Sequence, residues 1–453
     1  MKNKSFEVLV ILFLAIVFFT FLSFFPFQIK GFKSPDFLAQ LKAPASNLMA
    51  AFDSSLANKS LDSLSLDSIP FIADSSVLSF GDLTLFFEAL KNLKANPKAL
   101  HVAYFGDSMI EGDLLTMDLR KSLQSKFGGN GVGFMPATSA TAGFRTTIQH
   151  TFNDAWTTYH FNEKPPKNIA LGISGFAFQA SPNASVQFAK SKGEKPFKKL
   201  KLYYQNRTSS IIDLVCDSLH KVCLLPASDT LVTYTLMDSI PFSKVKFKVE
   251  EGAPIIYGFD FENGNGVYVD NFSFRGNSGI PLSSIEDDQL YSVQQDMNCK
   301  LVVLHYGLNV VGHKVGNYDW YIKPFRKAIK HIKKNFPNAT IVLASVCDKA
   351  NKENGVWNTE PDIPLFVNLQ AQLAVEEGLV FWNLYKAMGG YNAMKNWVET
   401  EKPRLANKDY THFNHLGASK AAKLFYDWMM REYEKYLQNQ TTQTVSITPQ
   451  PVQ

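Results

Sequence analysis

Apolar and polar positions fall into three textures along this chain. Residues 8–25 form an unbroken run of eighteen uncharged, mostly Leu, Ile, Val and Phe side chains. That length is just enough to cross a bilayer as a helix. Residues 31–76 mix Ser, Asp, Leu and Ala, with the near-repeat SLDSL at 60–64 and SLDS at 65–68. They read as a tether with one short helix. From residue 83 the periods become those of a folded domain. LTLFFEALKNLKA at 83–95 is an amphipathic helix, and LHVAYF at 100–105 is a buried strand. A second helix at 113–127 carries Leu114, Leu115, Leu119, Leu123 and Phe127 at helical spacing. The glycines of 128–131 follow that helix rather than open one, so they read as a cap and turn, not a phosphate loop.

The texture changes at 142. Ten β-type runs alternate with turns, at 144–152, 156–161, 169–178, 185–188, 200–204, 211–216, 231–236, 245–249, 255–261 and 267–274. Short strands at this spacing predict a β-sandwich or jelly roll, placed at 142–272. Strand and helix then alternate again. Strands are expected at 300–305, 340–347 and 379–384, and helices at 318–336, 364–377 and 415–436. Buried strands separated by helices predict an α/β domain with a parallel, doubly wound sheet. The predicted organisation is an anchor at 1–30, a linker at 31–76, the α/β domain at 77–141 and 273–438, the β module between, and a disordered Thr/Gln-rich tail at 439–453.

Composition refines this picture in three places. At 453 residues, with 45% apolar residues and a net charge of +5, the chain is globular in type and shows no basic footprint for nucleic acid. Lys2 and Lys4 precede the apolar run, and Pro26-Phe27-Gln28 after it is a poor cleavage site. An uncleaved signal anchor with the remainder outside the cytoplasm is expected, a cleaved signal peptide being the competing reading. Lys30 and Lys33 on the far side weaken the charge asymmetry. Cys216 and Cys223 flank six residues between β-like runs and are candidates for a hairpin disulfide; two buried thiols are the alternative. Cys299 and Cys347 read as core residues, and no CxxC spacing points to zinc.

Four short segments carry the candidate chemistry. Gly106-Asp107-Ser108 follows the strand at 100–105, and a serine on such a turn sits at the carboxyl edge of the sheet. Gly276-Asn277-Ser278-Gly279 comes where the next sheet strand should end, and a glycine there can offer its backbone N–H. Gly307-Leu308-Asn309 follows the strand at 300–305, and an Asn carboxamide is a good oxyanion donor. Asp409-Tyr410-Thr411-His412 precedes the last helix, a spacing that lets a carboxylate orient an imidazole. Each segment alone also has a plain reading as a turn or cap. His415, one turn on, is a rival base expected to pack or cap.

In this order the four segments resemble the blocks of the SGNH (GDSL-type) hydrolase superfamily: Gly-Asp-Ser, Gly, Gly-x-Asn and Asp-x-x-His. The resemblance covers about 98–140 and 272–436. It implies a flavodoxin-like three-layer α/β/α fold and ester hydrolysis or acyl transfer. It further implies Ser108 as nucleophile, His412 as base and Asp409 as its partner. The oxyanion hole would be the N–H groups of Ser108 and Gly279 with the Asn309 side chain, Gly276 being the rival glycine. No metal or cofactor is implied. The insertion is similar in placement to that of bacterial peptidoglycan O-acetylesterases of this superfamily, which carry a carbohydrate-binding-like β module there. Trp156, Tyr159, Tyr203, Tyr204 and Tyr257 are candidates for a sugar-stacking surface, with burial in the sandwich core as the alternative.

The expected function is a membrane-anchored, extracytoplasmic (periplasmic) serine esterase that removes acyl, above all O-acetyl, groups from a cell-envelope glycan. Two alternatives stay open: an O-acyltransferase to a polysaccharide, supplied by a membrane-bound acyltransferase partner, and a non-catalytic glycan-binding scaffold. Lysophospholipid cleavage is a further option, without an apolar lid to support it.

Overall fold

The computed structural model describes residues 82–445, apart from 96, 97 and 164, together with 28–29 and 32–33. The chain divides into two units, 1–70 and 71–453. In the first, Gln28–Ile29 pairs antiparallel with Phe32–Lys33. The expected anchor at 8–25 and tether at 31–76 lie almost wholly outside the described residues. Among the described residues, no helix is long and apolar enough to cross a membrane.

The second unit opens with helix α1 (Thr84–Asn92), strand β1 (Ala99–Gly106) and helix α2 (Thr116–Phe127). Antiparallel strands follow: β2 (Gly133–Met135), β3 (Ile148–Phe152), β4 (Trp156–His160), β5 (Phe176–Ala180), β6 (Ser185–Lys190), β7 (Lys199–Asn206), β8 (Ser210–Cys216), β9 (Leu219–Leu225), β10 (Ser228–Met237), β11 (Lys244–Glu251) and β12 (Ile255–Glu262). Then come β13 (Gly266–Ser273), α3 (Asp287–Met297), β14 (Cys299–His305), α4 (Asp319–Asn335) and β15 (Thr340–Ala344). The hairpin β16 (Ala350–Glu353) and β17 (Val356–Thr359) leads to α5 (Asp362–Glu377), β18 (Val380–Trp382), α6 (Leu384–Ala387), α7 (Ala393–Glu399) and α8 (His415–Val445).

Five strands form a parallel sheet in the order β13-β1-β14-β15-β18. In chain order that is 2-1-3-4-5, the flavodoxin-like arrangement. Successive side chains of β1 show the three layers. The Tyr104 ring meets Phe425 of α8, while Phe105 meets Phe336 beyond the end of α4. Neighbouring residues of a strand point to opposite faces, so α8 and α4 cover opposite sides.

The inserted strands form two sheets, β9-β8-β11-β6-β3 and β10-β7-β12-β5-β4, with β2 added beside β12. The two sheets share one core, in which Tyr204, Phe259 and Phe247 are buried. The other face of the second sheet, through Tyr203, Tyr257 and Phe134, belongs to the core of the α/β domain. The module is thus fused to that domain rather than tethered to it. Tyr203, Tyr204 and Tyr257 are core residues, not a sugar surface. Trp156 and Tyr159 are half-buried, bonded through Nε1 to the Ser185 carbonyl and through the hydroxyl to Gln179.

The structure moves several expected boundaries. The module starts at β2, before 142, and ends with β12; the run expected at 267–274 is β13, paired in parallel with β1. Its Val, Tyr and Phe content is that of any buried strand, and only its long-range partner decides which sheet it joins. The apolar run at 169–178 is strand only from Phe176 onward, and β9 was not expected at all. Helix α8 runs to Val445, past the expected start of a disordered tail at 439. No Gly or Pro interrupts 439–445, so a helix already formed continues.

The Cys216–Cys223 disulfide is not formed; all four cysteines are free thiols. Within the β8/β9 hairpin, Cys223 stands opposite Ile212 and Cys216 opposite Leu219. The offset of four residues (216 minus 212) is about 13 Å along the strand. A disulfide needs Cα atoms within about 7 Å. Burial pushes the Cys216 thiol up to about 12 and raises that of Cys223. A thiol titration of the denatured chain without reductant should therefore find all four cysteines reactive; finding two would contradict this register.

Candidate active site

The parallel sheet delivers three turns to its carboxyl edge. At the end of β1, a Cβ on Gly106 would stand 2.9 Å from the Ile110 side chain and 3.3 Å from the His305 carbonyl. Only glycine lets the turn fold back that tightly. The Asp107 side chain then accepts the Met109 N–H at 3.0 Å, fixing the turn that presents Ser108.

Ser108 Oγ lies 3.0 Å from His412 Nε2, and His412 Nδ1 lies 2.8 Å from Asp409 Oδ2. With the proton on Nδ1 donated to Asp409, Nε2 is left to accept from the serine hydroxyl. The other Asp409 oxygen accepts the backbone N–H groups of Thr411 and His412, each at 3.0 Å. Burial opposes ionisation of Asp409, but these bonds from His412 and Thr411 hold its carboxyl below the usual range.

Between them Tyr410 takes φ +54°, an unfavourable conformation for a side chain of its size. Its ring is stacked on Trp357 of β17 at 3.8 Å and its hydroxyl donates to Glu399 of α7 at 2.8 Å. These contacts hold the turn that carries His412. His415 is exposed at the start of α8 and makes no hydrogen bond to Ser108. Asn414, not His415, caps that helix by accepting the Gly417 N–H.

Asn309 reaches this group through Asp107. Its Nδ2 donates to Asp107 Oδ2 at 2.8 Å and to the Asn277 carbonyl at 3.3 Å. Asp107 is almost fully buried, and burial raises its carboxyl to about 6 despite the Met109 and Asn309 bonds.

The two candidate glycines differ. The Gly279 N–H donates to Asn277 Oδ1 at 2.7 Å, and a Cβ there would meet Phe325 and Tyr306 within 2.9 Å. Gly279 is therefore a packing glycine whose N–H is already used. Gly276 is exposed at φ +73°, with open space on its Cβ side. Its N–H makes no hydrogen bond among the described residues. The Asn-x-Gly spacing is the signal that marks the Asx turn consuming Gly279.

An open cleft of about 270 Å³ lies beside Ser108 and His412. Glu111, Phe144, Arg275 and Asn407 also line it, none of them singled out by sequence. Elsewhere, His101, Asp260 and Glu262 have their ligand atoms close enough for a metal ion. The Lys201 ammonium already serves as their cation, 2.8 Å from Glu262 and 3.8 Å from Asp260.

The structure superposes on a solved peptidoglycan O-acetylesterase with a TM-score of 0.67 at 18% identity, covering 80% of this chain and all of that one. At this identity the likeness is one of fold. A family two carbohydrate esterase from Clostridium thermocellum (TM-score 0.27, 9% identity, 62% of this chain and 98% of that one) and a salicylyl-acyltransferase of a tetracycline pathway (0.28, 11%, 63% and 94%) are too distant to carry weight. No protein-family model matches the chain, and no curated protein matches it significantly.

Burial disfavours the Asp107 charge, and that cost is measurable. With a folded value near 6 against an unfolded value near 3.9, folding takes up a proton between those limits. Stability therefore falls as pH rises through that window. Asp107→Asn does not titrate. Unfolding by denaturant at pH 4 and pH 7 should show the difference between parent and variant shifting toward the variant by roughly 2–3 kcal/mol. An unchanged difference would mean Asp107 is not held near 6.

Proposed function

We propose that this chain is a serine esterase that removes short acyl groups, above all O-acetyl, from a cell-envelope glycan. The observation that carries the reading is the unbroken hydrogen-bond chain Ser108–His412–Asp409, at 3.0 and 2.8 Å, opening on a solvent-accessible cleft. His412 Nε2 takes the Ser108 proton as Oγ attacks the ester carbonyl. The oxyanion is met by the Ser108 and Gly276 N–H groups and by Asn309, which exchanges its weaker bond to the Asn277 carbonyl for it. The imidazolium then protonates the departing sugar oxygen, leaving an acyl-serine. His412 then takes a proton from water as it attacks that intermediate, and returns the proton to Ser108 Oγ as the acid is released. Asp409 is a positioning residue that stabilises the imidazolium.

The small cleft suits a short acyl group. The fold likeness to a peptidoglycan O-acetylesterase supports an envelope glycan as the ester's carrier. The apolar run at 8–25 supports a single-pass anchor with the enzyme outside the cytoplasm. A triad hydrogen-bonded throughout speaks against a degenerate scaffold.

On a chromogenic acetyl ester, Ser108→Ala and His412→Ala should each lower kcat by more than about 1,000-fold, and Asp409→Asn by less. Activity surviving Ser108→Ala would defeat the mechanism.

A further inference from the structure

The cleft beside Ser108 continues into a second cavity of about 630 Å³, and the two share Glu111, Thr141, Phe144 and Arg275. Arg145 stands in the wall of the second cavity with its side chain only 8% exposed. Its nearest carboxylate, Asp113, is 3.9 Å away. That carboxylate is already held by Arg120 at 2.8 and 2.5 Å and by Thr116 at 2.7 Å. Among the described residues, Arg145 itself donates only to the Met135 sulfur, a weak acceptor.

Two buried guanidinium groups thus face Asp113, and the further carboxylate that acts on Arg145, Asp270, is bonded to His101 and to the Phe134 N–H. Burial, with Asp113 and Asp270 opposing and Arg120 adding to it, lowers the Arg145 pKa below its ordinary value. Glu111, the cavity's carboxylate, is committed to Arg275, whose Nε donates to it at 2.7 Å. Arg145 and His160 remain as the cavity's other basic groups. An under-compensated buried cation is costly to keep unless something supplies the missing charge.

Two more buried groups in the same wall lack partners. Ser174 Oγ and Asn271 Oδ1 are on residues 8% and 5% exposed, and neither atom has a hydrogen-bond partner among the described residues. The Asn271 amide nitrogen is fixed by bonds to the Ile110 carbonyl and the Thr116 hydroxyl, so Oδ1 is held as an acceptor. Phe144, 60% exposed, forms an apolar ledge where the two cavities meet.

We propose that the second cavity is an anion subsite for an acidic glycan. Arg145 takes the anionic group of a sugar next to the one bearing the ester, in the forked geometry guanidinium offers a carboxylate. Asn271 and Ser174 take sugar hydroxyls, and Phe144 takes a ring face. The position of the ester rests on the esterase reading; the binding of the anion does not.

The test is calorimetric binding to the full chain carrying Ser108→Ala. The probes are oligogalacturonate against neutral xylo-oligosaccharide, N-acetylmuramate against N-acetylglucosamine, and inorganic phosphate. At least one acidic sugar should bind about tenfold more tightly than its neutral counterpart, and Arg145→Gln should remove that preference. Which acidic sugar does so separates a uronate from a lactyl carboxylate. Equal binding of acidic and neutral sugars, binding of phosphate alone, or a preference that survives Arg145→Gln would overturn the subsite. The comparison of sugars needs no change at Arg145, so it stands even if that variant fails to fold. Loss of ester hydrolysis in the parent would defeat the esterase reading and leave this result intact.

Discussion

The parallel pairing of β1 with β13 is the constraint on which the rest depends. Ala99–Gly106 runs in register beside Gly266–Ser273, with the entire β module between them in the chain. That pairing brings the Ser108 turn and the loop of Gly276 to the same edge of one sheet. At the opposite end it closes over a buried charge network. His101 of β1 is 2.7 Å from Asp270 of β13 and 3.1 Å from Glu262 of β12, and Lys201 of β7 joins Glu262 to Asp296 of α3. Burial opposes a charge on His101, yet Asp270 and Asp260 hold its pKa well above the ordinary value. Such a network fixes how module and sheet meet more than it adds net stability, because desolvation offsets much of the attraction.

The site is assembled at the expense of local comfort. Asp107 is held in a nearly dry position where its charge is disfavoured, and there it anchors Asn309. Tyr410 sits at positive φ so that Asp409 and His412 can close their turn, and Trp357 and Glu399 restrain it. Strain of this kind persists only where surrounding contacts over-determine it. Here the contacts come from the β16/β17 hairpin and α7, elements that otherwise look peripheral.

The turn at Ser108 and the step from Asp409 to His412 were legible as local features, after a buried strand and before a helix; that they join in one hydrogen-bonded group was expected from the superfamily resemblance. The parallel α/β sheet was legible because strand and helix alternate in periods that a short window captures; its flavodoxin-like order was expected only from the superfamily resemblance. What was not legible turns on partners far away. The Gly279 N–H was a candidate donor in the sequence, and a side chain two residues earlier takes it. The hairpin disulfide fails on register, which Cys spacing does not encode. The end of the module was misplaced because β13 has the composition of the strands before it and differs only in what it pairs with. Arg145 carried no sequence signal, and burial against an already saturated carboxylate is what distinguishes it.

The most direct test of Ser108 as an activated nucleophile is covalent capture. The purified chain would be treated with a fluorophosphonate, and its peptides mapped by mass spectrometry. A single adduct on Ser108, absent when His412 is replaced by Ala, is the predicted result. Labelling at another serine, or labelling of Ser108 that proceeds as fast without His412, would contradict the triad.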